Sequence, residues 1–178
     1  NLKLIEERLK DLPDSERPKV MHIGSGTKVQ TVSGGGIVID EWIKIAGGQN
    51  VAADQKGMKD VSMEQITAYA PEVIIIGGDA SAKGVQTIQS DAAWKDVPAV
   101  KNNKVIRNPY GTFNWDRYST EEALQVLWAA KTLHPQKFTD IDMVKETQEF
   151  YSTFFGYSLS ADNAQRILTG EAPEGYTA

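Results

Sequence analysis

The run VSMEQITAYAPEVIIIGG, residues 61 to 78, restricts the fold more than any other stretch of the chain. Ser62 and Gln65 stand three apart at the start of a helical pattern, the spacing at which each side chain satisfies a backbone donor of the other. Met63, Ile66 and Ala70 form one inward stripe, and Pro71 ends the helix. The following EVIIIGG, 72 to 78, is apolar throughout and closes on glycines. A strand with one wet face alternates in polarity, whereas an unbroken apolar run suits a parallel strand covered on both faces. A capped helix feeding such a strand directs the reading toward an α/β fold.

The other segments repeat this alternation. KVMHIG (19 to 24) and NKVIRNP (103 to 109) read as strands, and GSGTKV (24 to 29) as a turn. GGGIVIDEWIKIAGG (34 to 48) reads as a helix with Val38, Trp42 and Ile45 on one face and Gly47-Gly48 as its stop. Residues 50 to 52 form an extended link, and 80 to 99 a loop with a short helix at Ala92 to Trp94. Ser119 and Glu122 suggest a second capping box before a helix bearing Leu124, Leu127, Trp128 and Lys131, with Val126, Ala130 and Leu133 widening its apolar surface. Helices follow over 140 to 155, with Val144, Gln148 and Tyr151 inward, and over 160 to 170; 171 to 178 is a frayed tail. At the start, Leu2, Ile5 and Leu9 mark a helix that stops before Pro13, and PDSERP (13 to 18) is a joint. The expected architecture is an α/β three-layer sandwich with a mostly parallel central sheet over 19 to 178, preceded by the helix and joint of 1 to 18. In such sheets ligands lie beyond the carboxyl ends of the strands, here after Gly24, Gly77 and Asn108.

Composition removes several function classes. A formal charge of -5 gives no support to a nucleic-acid surface. With no cysteine there is no thiol nucleophile or thiolate metal site. No run approaches the ~20 apolar residues needed to cross a bilayer as a helix. The charged opening, without methionine or an apolar signal core, reads as a processed product or an excerpt of something longer.

Neither GSG (24 to 26) nor GGG (34 to 36) matches a phosphate-loop or dinucleotide motif, so turn and helix-entry chemistry is the simpler account of both, as it is of Gly77-Gly78-Asp79. His22 and His134 lack carboxylates at metal-motif spacing and read as structural. Trp42, Trp94 and Trp128 read as core. No serine-hydrolase or zinc-peptidase signal occurs, and the 24 carboxylates form no recognisable acid-base pair, so neither a catalytic set nor a resident cofactor is expected. The exceptional stretch is PYGTFNWDRY, 109 to 118, with Tyr110, Phe113, Trp115 and Tyr118 beside Arg117 at the outlet of a strand. Aromatic faces give contact area at low entropic cost, and a guanidinium makes a fixed fork for oxyanions. Two accounts remain open. Either the loop faces a ligand, or its aromatics seal the sheet end while Asp116 and Arg117 pair locally.

DEWIKIAGGQNVA, VSMEQITAYAPEVIIIGG, AWKDVPAVKNNKVIRNP and the aromatic loop running into RYSTEEALQVLWAAKTLHP together resemble the C-terminal lobe of the periplasmic or lipoprotein substrate-binding proteins of ABC importers for iron-siderophores, haem and cobalamin. The likeness covers about residues 19 to 135, with 136 to 156 similar to the terminal helical region. It implies that the opening helix is the end of a long interlobe helix, that a second, N-terminal lobe is missing, and that the protein works outside the cytoplasmic membrane. It further implies a ligand-facing role for Tyr110, Phe113, Trp115, Arg117 and Tyr118. Trp115 or Tyr118 would cover a chelate or macrocycle, and Arg117 would neutralise its anionic groups. Glu121 or Glu122 would meet arginines of the permease. The alternatives from other classes are a nucleotide- or sugar-phosphate-binding enzyme domain and a self-associating interaction lobe.

Overall fold

The computed structural model describes residues 1–78, 80–172 and 174. Strands β1 (Lys19–Ile23), β2 (Thr31–Ser33), β3 (Gln49–Asn50), β4 (Met58–Asp60), β5 (Val73–Ile76) and β6 (Val105–Arg107) form one sheet in the order β4-β2-β1-β5-β6, with β3 also on β1. β1 runs parallel to β3 and β5, and β5 parallel to β6, while β2 is antiparallel to both β1 and β4. The parallel half is the expected one. The antiparallel β2–β4 edge was not, because three-residue strands such as Met58–Asp60, exposed along their whole length, carry too little pattern to read.

Register assigns the strand side chains to two layers. Met21, Ile74 and Val105 lie level across three strands, as do His22, Ile75 and Ile106. Met21, Ile23, Ile74, Ile76 and Val105 join one core with Ile66, Ile88 and Trp94. Val20, Val73 and Ile75 join the other, with Trp42, Leu127, Phe150 and Ile167. The second core is built by α1 (Leu2–Leu9), α2 (Val38–Ile45), α6 (Glu122–Leu133), α7 (Met143–Phe155) and α8 (Ala161–Leu168). The first lies under α3 (Met63–Tyr69), α4 (Ser81–Ser90) and α5 (Pro98–Lys101). The result is a three-layer α/β sandwich.

The Ser62 and Gln65 capping box forms in both directions, and Ala70 closes α3 in the left-handed region at φ 47°. The second expected box does not form. The side chain of Glu121 is held by the preceding loop, α6 starts at Glu122, and the buried Ser119 hydroxyl has no partner among the described residues. α4 replaces the loop expected over 80 to 90; of its apolar side chains only Val85 and Ile88 pack inward, beside the small buried Ser81 and Gly84, too sparse a pattern to announce a helix. The short helix at Ala92–Trp94 is present as a single 3₁₀ turn. Ile5, Leu9 and Leu12 bury α1 and the residues just after it in the same core as residues 19 onward, whereas Leu2 and Ile45, expected inward, are exposed. The expected turn at Asp79 and the tail at 173 and 175 to 178 lie outside the described residues.

Candidate functional site

The carboxyl ends of β1 and β5 meet the Asp116-Arg117 step of the 109–118 loop, which follows β6. Gly24 follows β1 and Gly77-Gly78 follow β5. A Cβ on Gly77 would occupy the position of Asp116 Oδ2, and one on Gly78 would meet Gly24 O and the Arg117 guanidinium. The glycines therefore let a carboxylate and an arginine lie directly over the strand ends. Arg117 donates from Nη2 to Gly24 O at 2.9 Å and from Nη1 to Asp116 Oδ2 at 3.3 Å, and its side chain keeps 20% of its exposure. Asp116 is fully buried; its Oδ2 also meets His22 Nε2 at 3.0 Å, while Oδ1 has no partner among the described residues. His22 Nδ1 is 2.8 Å from Ser33 Oγ, and the His22 ring stands edge-on to Trp42, whose indole N–H donates to Asp116 O.

The remaining loop residues divide between surface and core. Phe113 is 45% exposed and Tyr118 is 85% exposed. Tyr118 sits at φ 58°, and its N–H donates to Glu122 Oε2 at 3.1 Å. Tyr110 is half-buried, and its N–H donates to Ile167 O in α8. Trp115 departs from the expectation of a ligand-covering ring: it is fully buried in the helical core and presents no face to solvent. Arg117 and Tyr118 are thus accessible together, with Phe113 exposed elsewhere on the same loop. Of the two open accounts, the packing one holds for Trp115, which seals the sheet end, and for Asp116, which pairs with Arg117.

Glu121 is also corrected. It is fully buried, accepting from Thr112 N–H and Thr112 Oγ1, both at 2.7 Å, and from the Tyr151 hydroxyl at 2.7 Å, so it is no surface carboxylate. Burial and the Glu121 carboxylate drive the Tyr151 phenol far up from its ordinary value and keep it a donor. Glu122 is half-buried at the head of α6. Burial raises its carboxyl above the usual range, the Tyr118 N–H opposes that, and the charge of Asp116 adds to it.

GSG and GGG prove to be packing devices. A Cβ on Gly26 would strike the Ala80 carbonyl at the head of α4, and Gly34 and Gly35 donate to Gly57 O and Gln55 O. His134 is structural as expected, 3.2 Å from Gly47 O. His22, read as structural, proves to stand directly behind Asp116. No group of three or more metal-ligating side chains occurs among the described residues.

A periodic succession of helix and strand with its open end at β1, β5 and β6 is shared with known proteins. The family model described as periplasmic binding protein matches residues 2–110, more than half of the chain. The chain belongs to the periplasmic binding protein family. The molybdate-binding protein MolA of Haemophilus influenzae is 34% identical over 176 residues, covering 93% of this chain and 47% of MolA. The structure of that protein bound to molybdate superposes with a TM-score of 0.77 at 32% identity, over 90% of this chain and 48% of the other. An ABC transporter solute-binding protein from Sulfurospirillum deleyianum gives a TM-score of 0.81 at 28% identity, over 93% and 52%. The chain spans about half the length of the relatives it matches. Periplasmic binding proteins are non-catalytic components of transport, and membership places this chain outside the cytoplasm.

Proposed function

We propose that this periplasmic binding protein chain is the C-terminal lobe of an ABC-importer substrate-binding protein, and that its ligand is a small anionic, metal-containing species held at Arg117. The single observation carrying this reading is the guanidinium itself: fixed by Gly24 O and Asp116, one-fifth exposed, and beside an outward Tyr118 at the strand ends. A pre-organised arginine fork recognises oxyanions without first having to be ordered. The solved MolA structure contains molybdate, and a tetrahedral oxyanion of that class suits a recessed arginine. A chelate such as an iron-siderophore, haem or cobalamin is the second reading, favoured by the exposed rings of Phe113 and Tyr118. Tyr110 and Phe113 belong to the rim in either case.

In this reading α1 is the end of the helix joining two lobes, the missing N-terminal lobe closes the other side of the cleft, and Glu122 is the remaining carboxylate of the pair considered for contact with the permease. Calorimetric titration of the full-length protein with molybdate, a ferric catecholate, haem and cobalamin tests the reading. One of them should bind, and Arg117→Ala should weaken an anionic ligand by about tenfold to a hundredfold, the worth of a charge-assisted hydrogen bond. Unchanged affinity in that variant would remove Arg117 from the site.

A further inference from the structure

Arg117 does not stand alone, and resting on the reading above we propose that Asp116 and His22 are positioning residues that set both its orientation and the charge it offers to an anion. Three side chains from two distant parts of the chain are joined in series: His22 Nε2 lies 3.0 Å from Asp116 Oδ2, and that same oxygen lies 3.3 Å from Nη1 of the adjacent Arg117. Oδ1 of Asp116 is buried without a partner among the described residues. Among the described residues, the carboxylate's partners therefore all reach one oxygen, shared between a permanent cation and an imidazole ring.

The consequence for the ligand follows from counting charges. With His22 neutral, Asp116 and Arg117 sum to zero. With His22 protonated, the imidazolium takes up the charge of Asp116, the series carries one net positive charge, and Arg117 faces the ligand uncompensated. Among the described residues, the other groups in contact with His22 are uncharged. The Ser33 hydroxyl, the Trp42 ring, Ile75 and the Gly77 backbone are neutral, and the Met58 thioether behind Ser33 is too. Further out, Asp40 is paired with Lys44 and joined to Ser33 through Asn50, and the Glu122 carboxyl is coupled to the charge of Asp116. Full burial of His22 and Asp116 keeps solvent from screening the coupling.

Coupling is reciprocal, so it is readable without any ligand. In the full-length protein, ¹⁵N resonances of the His22 ring are followed against pH in the native sequence and in Arg117→Ala, with His134 as an internal control. Loss of the neighbouring cation should move the His22 midpoint to higher pH and leave His134 in place. Equal His22 midpoints in the two proteins would overturn the proposal. The binding arm uses molybdate as probe over a series of pH values. Affinity should fall roughly tenfold as pH rises, as expected for one unit of charge near an anion, and should lose that slope in His22→Gln. If Arg117→Ala abolishes molybdate binding while native protein and His22→Gln share one pH profile, the arginine site stands and this inference fails. If Arg117→Ala binds molybdate like the native protein, the site itself is elsewhere.

Discussion

The Tyr151 hydroxyl donates to Glu121 Oε1 at 2.7 Å across 30 residues of sequence, and ties the last long helix to the loop that carries Arg117. Thr112 N–H and Thr112 Oγ1 complete the shell around the same carboxylate. A buried charge held by three donors anchors the aromatic loop from behind. Glu121→Ala strands a phenol and an amide in the interior and should destabilise the protein by about 2–4 kcal/mol in urea unfolding, while Glu121→Gln, which keeps an acceptor, should lose less. An Ala variant as stable as the native protein would mean that the latch carries no load.

Gly77 is the tightest approach in the site, because a methyl there would occupy the position of Asp116 Oδ2. Gly77→Ala should push Asp116 off His22 and Arg117, lowering thermal stability and ligand affinity together. Retention of both would show that the loop can shift at no cost.

His134 gives a pH dependence of definite sign. Burial lowers its pKa, the Gly47 carbonyl opposes this, and Lys137 and Arg17 add to the lowering. The unfolded chain therefore binds the proton more readily than the folded one. The stabilising contribution is complete above the ordinary imidazole value near pH ~6.5 and is lost as pH falls toward the depressed folded value. Chemical unfolding from pH 7.5 down to about 5 should show stability declining, and His134→Gln should flatten that decline. A slope unaltered in the variant would assign it to other groups.

Ala70 closes α3 at φ 47°, a region that costs a residue bearing a Cβ and costs glycine little. Ala70→Gly should raise stability by up to about 1 kcal/mol in urea unfolding, despite adding freedom to the unfolded chain. Destabilisation would show that the Cβ makes contacts worth more than the backbone relief.

The parts legible in advance were those whose information is local. Ser62 and Gln65 cap a helix through their own neighbours, Pro71 stops it, and Val73–Ile76 is covered on both faces because nothing polar interrupts it. The loop from Tyr110 to Tyr118 announced itself by density of aromatics beside an arginine, and it does lie at the strand ends. Its internal division was not legible, because Trp115 and Tyr118 are chemically similar rings. Only the left-handed turn at Tyr118 and the helical core beneath Trp115 send one outward and the other in.

The sequence by itself determined the class of fold, the placement of the aromatic and arginine loop at the strand ends, and the charge type that Arg117 would attract, since periodicity, capping and side-chain chemistry need only nearby residues. Tertiary structure alone decided that Glu121 is an internal latch and that His22, 94 residues before Asp116, stands behind it. Such pairings depend on which strands lie side by side and in which register. That is settled by burial of two cores across the whole chain, a property that no local stretch carries.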